Sequence, residues 1–185
     1  MKTWITSDLH FGHKNIMSFC PETRARFRND VDYMNEQMVT EWNERVAVDD
    51  TVYILGDVAF LPAQKAAEYM NRCNGVKILV EGNHDRKTLM DVNFRNSFVE
   101  VHKYLDITYD GHKCVMFHYP IAEWDQMHRG ALHFHGHLHG GVSGLEQFRA
   151  LDVGMDSTGE IVISMERAIR LIEGNLIKGH HQKGM

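Results

Sequence analysis

Cysteine is scarce and poorly placed for bridging: Cys20, Cys73 and Cys114 are odd in number, widely spaced and free of any C-x-x-C pair. Neither a disulfide framework nor a zinc finger is indicated. No apolar run approaches the roughly 20 residues that span a bilayer, and the chain enters its first strand-like segment without a signal-peptide pattern. The expectation is a cytoplasmic protein with no membrane partner. Excess positive charge is missing too. A formal net charge of −5 argues against gripping nucleic acid through a bulk positive field. It leaves a phosphate substrate open, because bound divalent ions reverse the sign locally. No linker, repeat or low-complexity tract interrupts the chain, so residues 1–185 read as a single domain with room for a sizeable core.

What is present is ordinary globular composition, 43% hydrophobic and 24% charged, with thirteen histidines as the exception. The stretch from Val76 to Asp85, VKILVEGNHD, shows how the histidines are used. Its Val, Ile and Leu residues suit a buried strand of a parallel sheet. Gly82 then permits a sharp turn into Asn83, His84 and Asp85, at the carboxyl end of a strand, where open α/β sheets bind ligands. Asn offers a carbonyl oxygen to a metal, His transfers protons, and Asp can hold the His ring in one tautomer. Alone, the stretch reads equally well as a polar turn capping a helix.

The arrangement recurs. Thr3–Ser7 runs into Asp8 and His10, Thr51–Leu55 into Gly56-Asp57, Lys113–Phe117 into His118, and Ala131–His135 into Gly136-His137-Leu138-His139. Strand ends of one sheet converge on one edge, which would gather these residues. His137 and His139, two apart, face opposite sides of extended chain unless a turn after Gly136 redirects them or each reaches a different ion. His133 and His135 read as packed residues beside such a site.

Other segments supply the frame. Residues 30–46 place Val31, Met34, Met38, Trp42 and Val46 at helical spacing, with Asn29 or Asp30 as cap. A second helix opens at Pro62 and closes at Asn74-Gly75, with Ala63, Ala66, Ala67 and Met70 inward. Strand, helix, strand order there implies parallel pairing. Segments 97–101, 103–109 and 113–117 read as short strands with a turn at Asp110-Gly111, and 149–153 and 160–163 as a further strand pair. Ser164 caps a last helix carrying Met165, Ala168, Ile169 and Ile172. Arg24, Arg26 and Arg28 read as solvated surface, and segment 119–130, with Trp124, His128 and Arg129, as a roof over the site. The expected fold is α/β (α+β), two packed mixed sheets forming a β-sandwich flanked by helices.

Asp8-x-His10, Gly56-Asp57, Gly82-Asn83-His84-Asp85, His118 and Gly136-His137-x-His139 resemble, in order, the five blocks of the calcineurin-like metallophosphoesterases. The variant Asp8-Leu9-His10-Phe11-Gly12-His13 is similar to their compact bacterial and phage-encoded branch. Gly56-Asp57-Val58 departs from many phosphatases of the family, which carry a second acidic or polar residue in this block. The resemblance implies that Asp8, His10 and His139 hold one metal, that Asn83, His118 and His137 hold a second, and that Asp57 bridges both. Mixed His, Asp and Asn donors suit Mn²⁺, Fe²⁺/³⁺, Co²⁺, Ni²⁺ or Zn²⁺ better than Ca²⁺.

The mechanism expected is in-line attack on phosphorus by a hydroxide shared between the ions, with His84, oriented by Asp85, protonating or stabilising the leaving oxygen. The expected activity is hydrolysis of small phosphate esters or nucleotides, phosphodiesters before phosphomonoesters. A metal-dependent nuclease is the alternative, with nucleic acid as its partner. A catalytically silent scaffold ranks last, because no ligand position is missing.

Overall fold

Trp42, Met34 and Met38 lie at helical spacing on one face of a helix and are fully buried, which sets where the layers meet. In this computed structural model, which describes residues 1–179, the strands are Thr3–Thr6 (β1), Thr51–Ile54 (β2), Val76–Val80 (β3), Glu100–His102 (β4), Leu105–Tyr109 (β5), His112–Met116 (β6), Leu132–His135 (β7), Ala150–Asp152 (β8) and Ile163–Ser164 (β9). The α-helices are Ile16–Phe19 (α1), Pro21–Arg24 (α2), Val31–Arg45 (α3), Ala63–Arg72 (α4), Asp85–Thr88 (α5), Val92–Arg95 (α6), Met155–Thr158 (α7) and Met165–Ile172 (α8).

Two mixed sheets form. One has the order β4-β3-β2-β1-β9 and the other β5-β6-β7-β8. In the first, β1 to β4 run parallel and β9 antiparallel to β1. In the second, β6, β7 and β8 are parallel and β5 is antiparallel. The strand-like segments that end in polar residues are therefore split: β1, β2 and β3 belong to one sheet, β6 and β7 to the other. The convergence is across a sandwich rather than along one sheet edge. The strands near 150 and 163 also separate, β8 pairing with β7 and β9 with β1.

Alternation along the strands builds two cores. Trp4, Val52, Ile54 and Leu79 pack against Met34, Met38 and Trp42 of α3 and Ala66, Ala67 and Met70 of α4. The opposite faces, Ile5, Leu55 and Val80, meet Cys114, Met116, Leu132 and Phe134 of the second sheet, closed by Met165, Ala168, Ile169 and Ile172 of α8. Each large side chain buried this way contributes roughly 1.5–3 kcal/mol. Local signals agree with this packing. Asp30 caps α3 by accepting the N–H groups of Asp32 and Tyr33, Ser164 caps α8, and Asp110 and Gly111 both take positive φ between β5 and β6, as a tight hairpin requires. Arg24 departs from the surface reading. It is fully buried, for a reason the site makes plain. No helix among the described residues is long and apolar enough to cross a membrane.

Candidate metal centre

The loops leaving β1, β2 and β3 meet those leaving β6 and β7, and they bring six of the seven expected ligands into two groups. Asp8, His10 and His139 offer donor atoms within 4.8 Å of one another, as do Asp57, His118 and His137. The backbone is forced to achieve this. Nine non-glycine residues among those described have positive φ, and five of them are Asp8, His10, Asp57, His137 and His139. Such conformations cost on the order of 1–3 kcal/mol each and persist where the surroundings over-determine them. For His137 (φ 74°) and His139 (φ 51°) they also answer the spacing problem, turning one ring to each group. Glycine is needed where ligand side chains press on the loops: a Cβ on Gly136 would collide with Asp8 Oδ2, and one on Gly82 with Asp57 Oδ1.

Hydrogen bonds aim the donors. Asp8 Oδ2 accepts the N–H of His137 at 2.8 Å, which leaves Oδ1 facing His10 Nε2 at 3.7 Å and His139 Nε2 at 3.8 Å. Asp57 faces both groups, with Oδ1 3.6 Å from His118 Nε2 and Oδ2 3.8 Å from His10 Nε2. The Nδ1 of His118 lies 2.7 Å from the Leu55 carbonyl. A carbonyl only accepts, so Nδ1 carries a proton and Nε2 is the nitrogen turned to the cleft. It lies 2.9 Å from Asn83 Oδ1.

Divalent transition metals fit these residues on three grounds. Asp8 Oδ1 and both ring nitrogens of His10 are buried without a hydrogen-bond partner, an arrangement that costs about 1–3 kcal/mol per group unless something else binds there. His118 Nε2 and Asn83 Oδ1 converge at 2.9 Å beside Asp57 Oδ1, the mixed nitrogen and oxygen donors that such metals take. Protonation at His10, His137 and Asp8 also matches what a metal takes. Burial pushes His10 and His137 below the usual imidazole range. Burial raises the Asp8 carboxyl, but His10, His118 and His139 more than offset this and hold it low.

Behind His139 lies a charge chain with no counterpart among the expected site residues. Asp156 Oδ2 lies 2.8 Å from His139 Nδ1, fixing the tautomer that turns Nε2 towards Asp8. Arg24 grips the same carboxylate through Nε and Nη2, both at 2.8 Å, and donates to the backbone oxygens of Leu9 and Asp8. Burial raises Asp156, yet His139 and Arg24 hold it well below the usual carboxylate range. In His139, burial lowers the pKa and Asp156 outweighs it, leaving the ring raised. The available signal was positional. Gly154-Met155-Asp156 follows β8, and Ser7 bridges Gly154 at the end of β1, so Asp156 repeats the strand-then-turn placement of the other candidates.

Asp85 does not orient His84. Its two oxygens accept the backbone N–H groups of Asp57, Val58 and Gly82 at 2.8–2.9 Å, so it ties the β2 and β3 loops together. His84 points into the cleft with its side chain 47% exposed, Nε2 3.9 Å from Asp57 Oδ2. The expected roof, segment 119–130, reaches the site at Tyr119 and not at Trp124. Trp124 is buried, donates to the Ala131 carbonyl and packs on His133, whereas Tyr119 lies against His118 and His137. His133 and His135 are buried on the face of β7 opposite Leu132 and Phe134, both faces of this strand being covered.

The fold and the paired donor groups describe an α/β sandwich with a candidate metal centre at the strand ends. No protein-family model matches the sequence. An uncharacterized protein of Methanocaldococcus jannaschii is 29% identical, over 93% of this chain and 92% of its own length. The gene 66 protein of Mycobacterium phage L5 is 28% identical, over 86% and 89%. A protein of unknown function from Aquifex aeolicus shares the fold, with a TM-score of 0.71 and 24% identity over 92% of this chain and 99% of its own. YfcE, a phosphoesterase from E. coli, aligns at a TM-score of 0.42 and 17% identity over 89% and 82%, a likeness too distant to bear on function.

Proposed function

We propose that this chain is a phosphoric ester hydrolase using two divalent transition-metal ions, and that small phosphodiesters, nucleotides among them, are its preferred substrates. The observation that carries the reading is the pair of donor groups meeting at Asp57, whose two oxygens face one group each. Asp8, His10 and His139 would hold one ion, Asn83, His118 and His137 the other, and Asp57 both. When bound, the ions supply a water of lowered pKa and neutralise phosphoryl oxygens.

The chain's own groups do the rest. His84 stands at the mouth of the cleft, its backbone N–H held by Asp57 Oδ1 at 3.0 Å, and its ring delivers a proton to the leaving oxygen. Asp156 and Arg24 keep His139 in one tautomer, and Asp85 fixes the two loops that carry Asp57 and His84. The diester preference follows from charge. The cleft against His10 and His139 is lined by His13, Ile16, Phe19, Cys20, Phe60 and His84, with no Lys or Arg, so a monoester's second charge finds no permanent side-chain cation. Comparing kcat/KM for bis-nitrophenyl phosphate and nitrophenyl phosphate, with Mn²⁺ and then Ni²⁺, tests this. A monoester advantage with both metals would overturn the preference, and no hydrolysis of either by the loaded protein would overturn the reading.

A further inference from the structure

Phe60 and Phe19 are exposed phenylalanines that the fold's packing does not explain. Phe60 is 38% exposed and Phe19 68%, and neither belongs to any of the three apolar clusters. Exposed apolar residues are common singly, but these two line the same cavity, of about 440 Å³, and His10 and His139 form part of its wall. Phe60 is held there by backbone. Phe11 and Ala59 form a parallel bridge between the loops leaving β1 and β2, and the N–H of Phe60 donates to the Phe11 carbonyl at 2.8 Å. Its ring is thereby laid across from His13, with centroids 4.2 Å apart and planes within 27°. His84 lies 4.4 Å away on the same ring, and His10 stacks on it at 5.1 Å. His13 in turn lies 6.1 Å from Phe19. Ile16 and Leu138 add apolar wall to the same cavity.

We infer that Phe60, with His13 and Phe19, forms a ring-stacking subsite that takes a flat aromatic substituent of the ester. Flat rings gain from offset or edge contact with such faces beyond the area they bury, and cavities of this size accommodate small organic groups. Because the same cavity touches His10 and His139, a ring seated there places an attached phosphoryl group at the candidate centre. His84, in contact with Phe60, then stands between ring and phosphorus, where the leaving oxygen emerges. The inference rests on the phosphoric ester reading for its substrate, but the ring subsite is testable apart from it.

Three non-hydrolysable probes, methyl-, cyclohexyl- and phenylphosphonate, titrated calorimetrically into the Mn²⁺-loaded protein, separate anion binding, apolar bulk and ring stacking. Phenylphosphonate is expected to bind about 3- to 10-fold more tightly than cyclohexylphosphonate, the range that aromatic pairing supports. In Phe60→Leu, which keeps apolar bulk, that advantage falls to about one, with methylphosphonate affinity held. Phe60→Ala also weakens the cyclohexyl probe. Equal phenyl and cyclohexyl affinities in the wild type, or an unchanged ratio in Phe60→Leu, would overturn the subsite. A neutral pair, benzamide and acetamide, followed by NMR shifts of Ile16, Phe19 and Phe60 resonances, tests the ring alone. If no phosphonate binds yet benzamide shifts those resonances, the subsite stands and the ester reading fails. If benzamide leaves them unmoved, the subsite fails whatever the phosphonates do.

Discussion

At the scale of single residues, Asp57 is the position on which both donor groups depend, and its two oxygens are not interchangeable. Replacing it with Asn removes the charge and one acceptor oxygen while keeping the shape. Asp57→Asn is therefore expected to weaken both metal-binding steps in calorimetry, whereas Asp8→Asn weakens chiefly one. Loss of a single step in Asp57→Asn would show that the carboxylate serves one ion. For His84, removal of a proton donor lowers the rate by about 10²–10⁴-fold. His84→Ala should show that loss with alkyl esters and a smaller one with nitrophenyl esters, at unchanged metal content. Equal losses with both would mark a binding role instead. His133 gives a prediction independent of the centre. Its Nδ1 lies 3.2 Å from the Val115 carbonyl and its Nε2 accepts the Ile121 N–H at 3.3 Å, so a second proton would meet a donor. Burial pushes its pKa down to about 3, against about 6.5 in an unfolded chain. The unfolded state thus binds the extra proton first. Stability from this residue is whole above pH 6.5 and is lost as pH falls towards 3, by at most about 1.4 kcal/mol per pH unit. NMR titration of the His133 ring should show no protonation between pH 7 and 4.5, and a midpoint near 6 would refute the assignment.

At the scale of elements, the tie between α2 and α7 decides how rigidly His139 is held. Arg24 and Asp156 are both buried, so deleting the cation leaves a carboxylate without its partner, and Arg24→Met is expected to cost about 3–5 kcal/mol. The exposed pair Arg26–Glu41 is the internal control, since Arg26→Ala should cost at most about 1 kcal/mol. Urea midpoints compare the two, and similar shifts would mean that the buried pair is no more than a surface contact. This pair also marks the limit of what was legible beforehand. The period of α3, the caps Asp30 and Ser164, and the Asp110-Gly111 turn are local, and composition and spacing reveal them. So are the polar residues after β1, β2, β3, β6 and β7. Which sheet each strand joins is not local. The outer position of β9 beside β1 rests on a two-residue pairing that carries no pattern of its own. Arg24 sits among other arginines in a span that reads as surface, and only its distant partner Asp156, 132 residues away, explains its burial. Asp85 misled for a related reason, because a carboxylate next to a histidine in sequence looked like its orienting group while three backbone N–H groups claimed it first.

At the scale of the whole molecule, the candidate ligands come from both halves of the sandwich. Asp8, His10, Asp57 and Asn83 follow strands of the first sheet, and His118, His137 and His139 follow strands of the second. An ion held by groups from both sheets binds the folded chain and has little to bind in the unfolded one, so metal occupancy and stability are linked. At a free concentration of 100 times its Kd, each ion adds about 2.7 kcal/mol. In a chain of this size each kcal/mol raises Tm by about 2–4 °C, so one ion is expected to raise it by roughly 5–11 °C and two by about twice that. Thermal unfolding in Mn²⁺ and in chelator measures the difference. Ca²⁺, a poor match for imidazole donors, should give little of it, and Asp57→Asn should lose most of it. The effect should fade as pH falls through the imidazole range, His139, whose pKa is raised, taking a proton before His10 and His137, because the imidazoles must shed protons before they can bind a metal. A shift equally large in Ca²⁺, or undiminished in Asp57→Asn, would place the ions elsewhere on the protein and remove the physical basis for reading the strand ends as a metal centre.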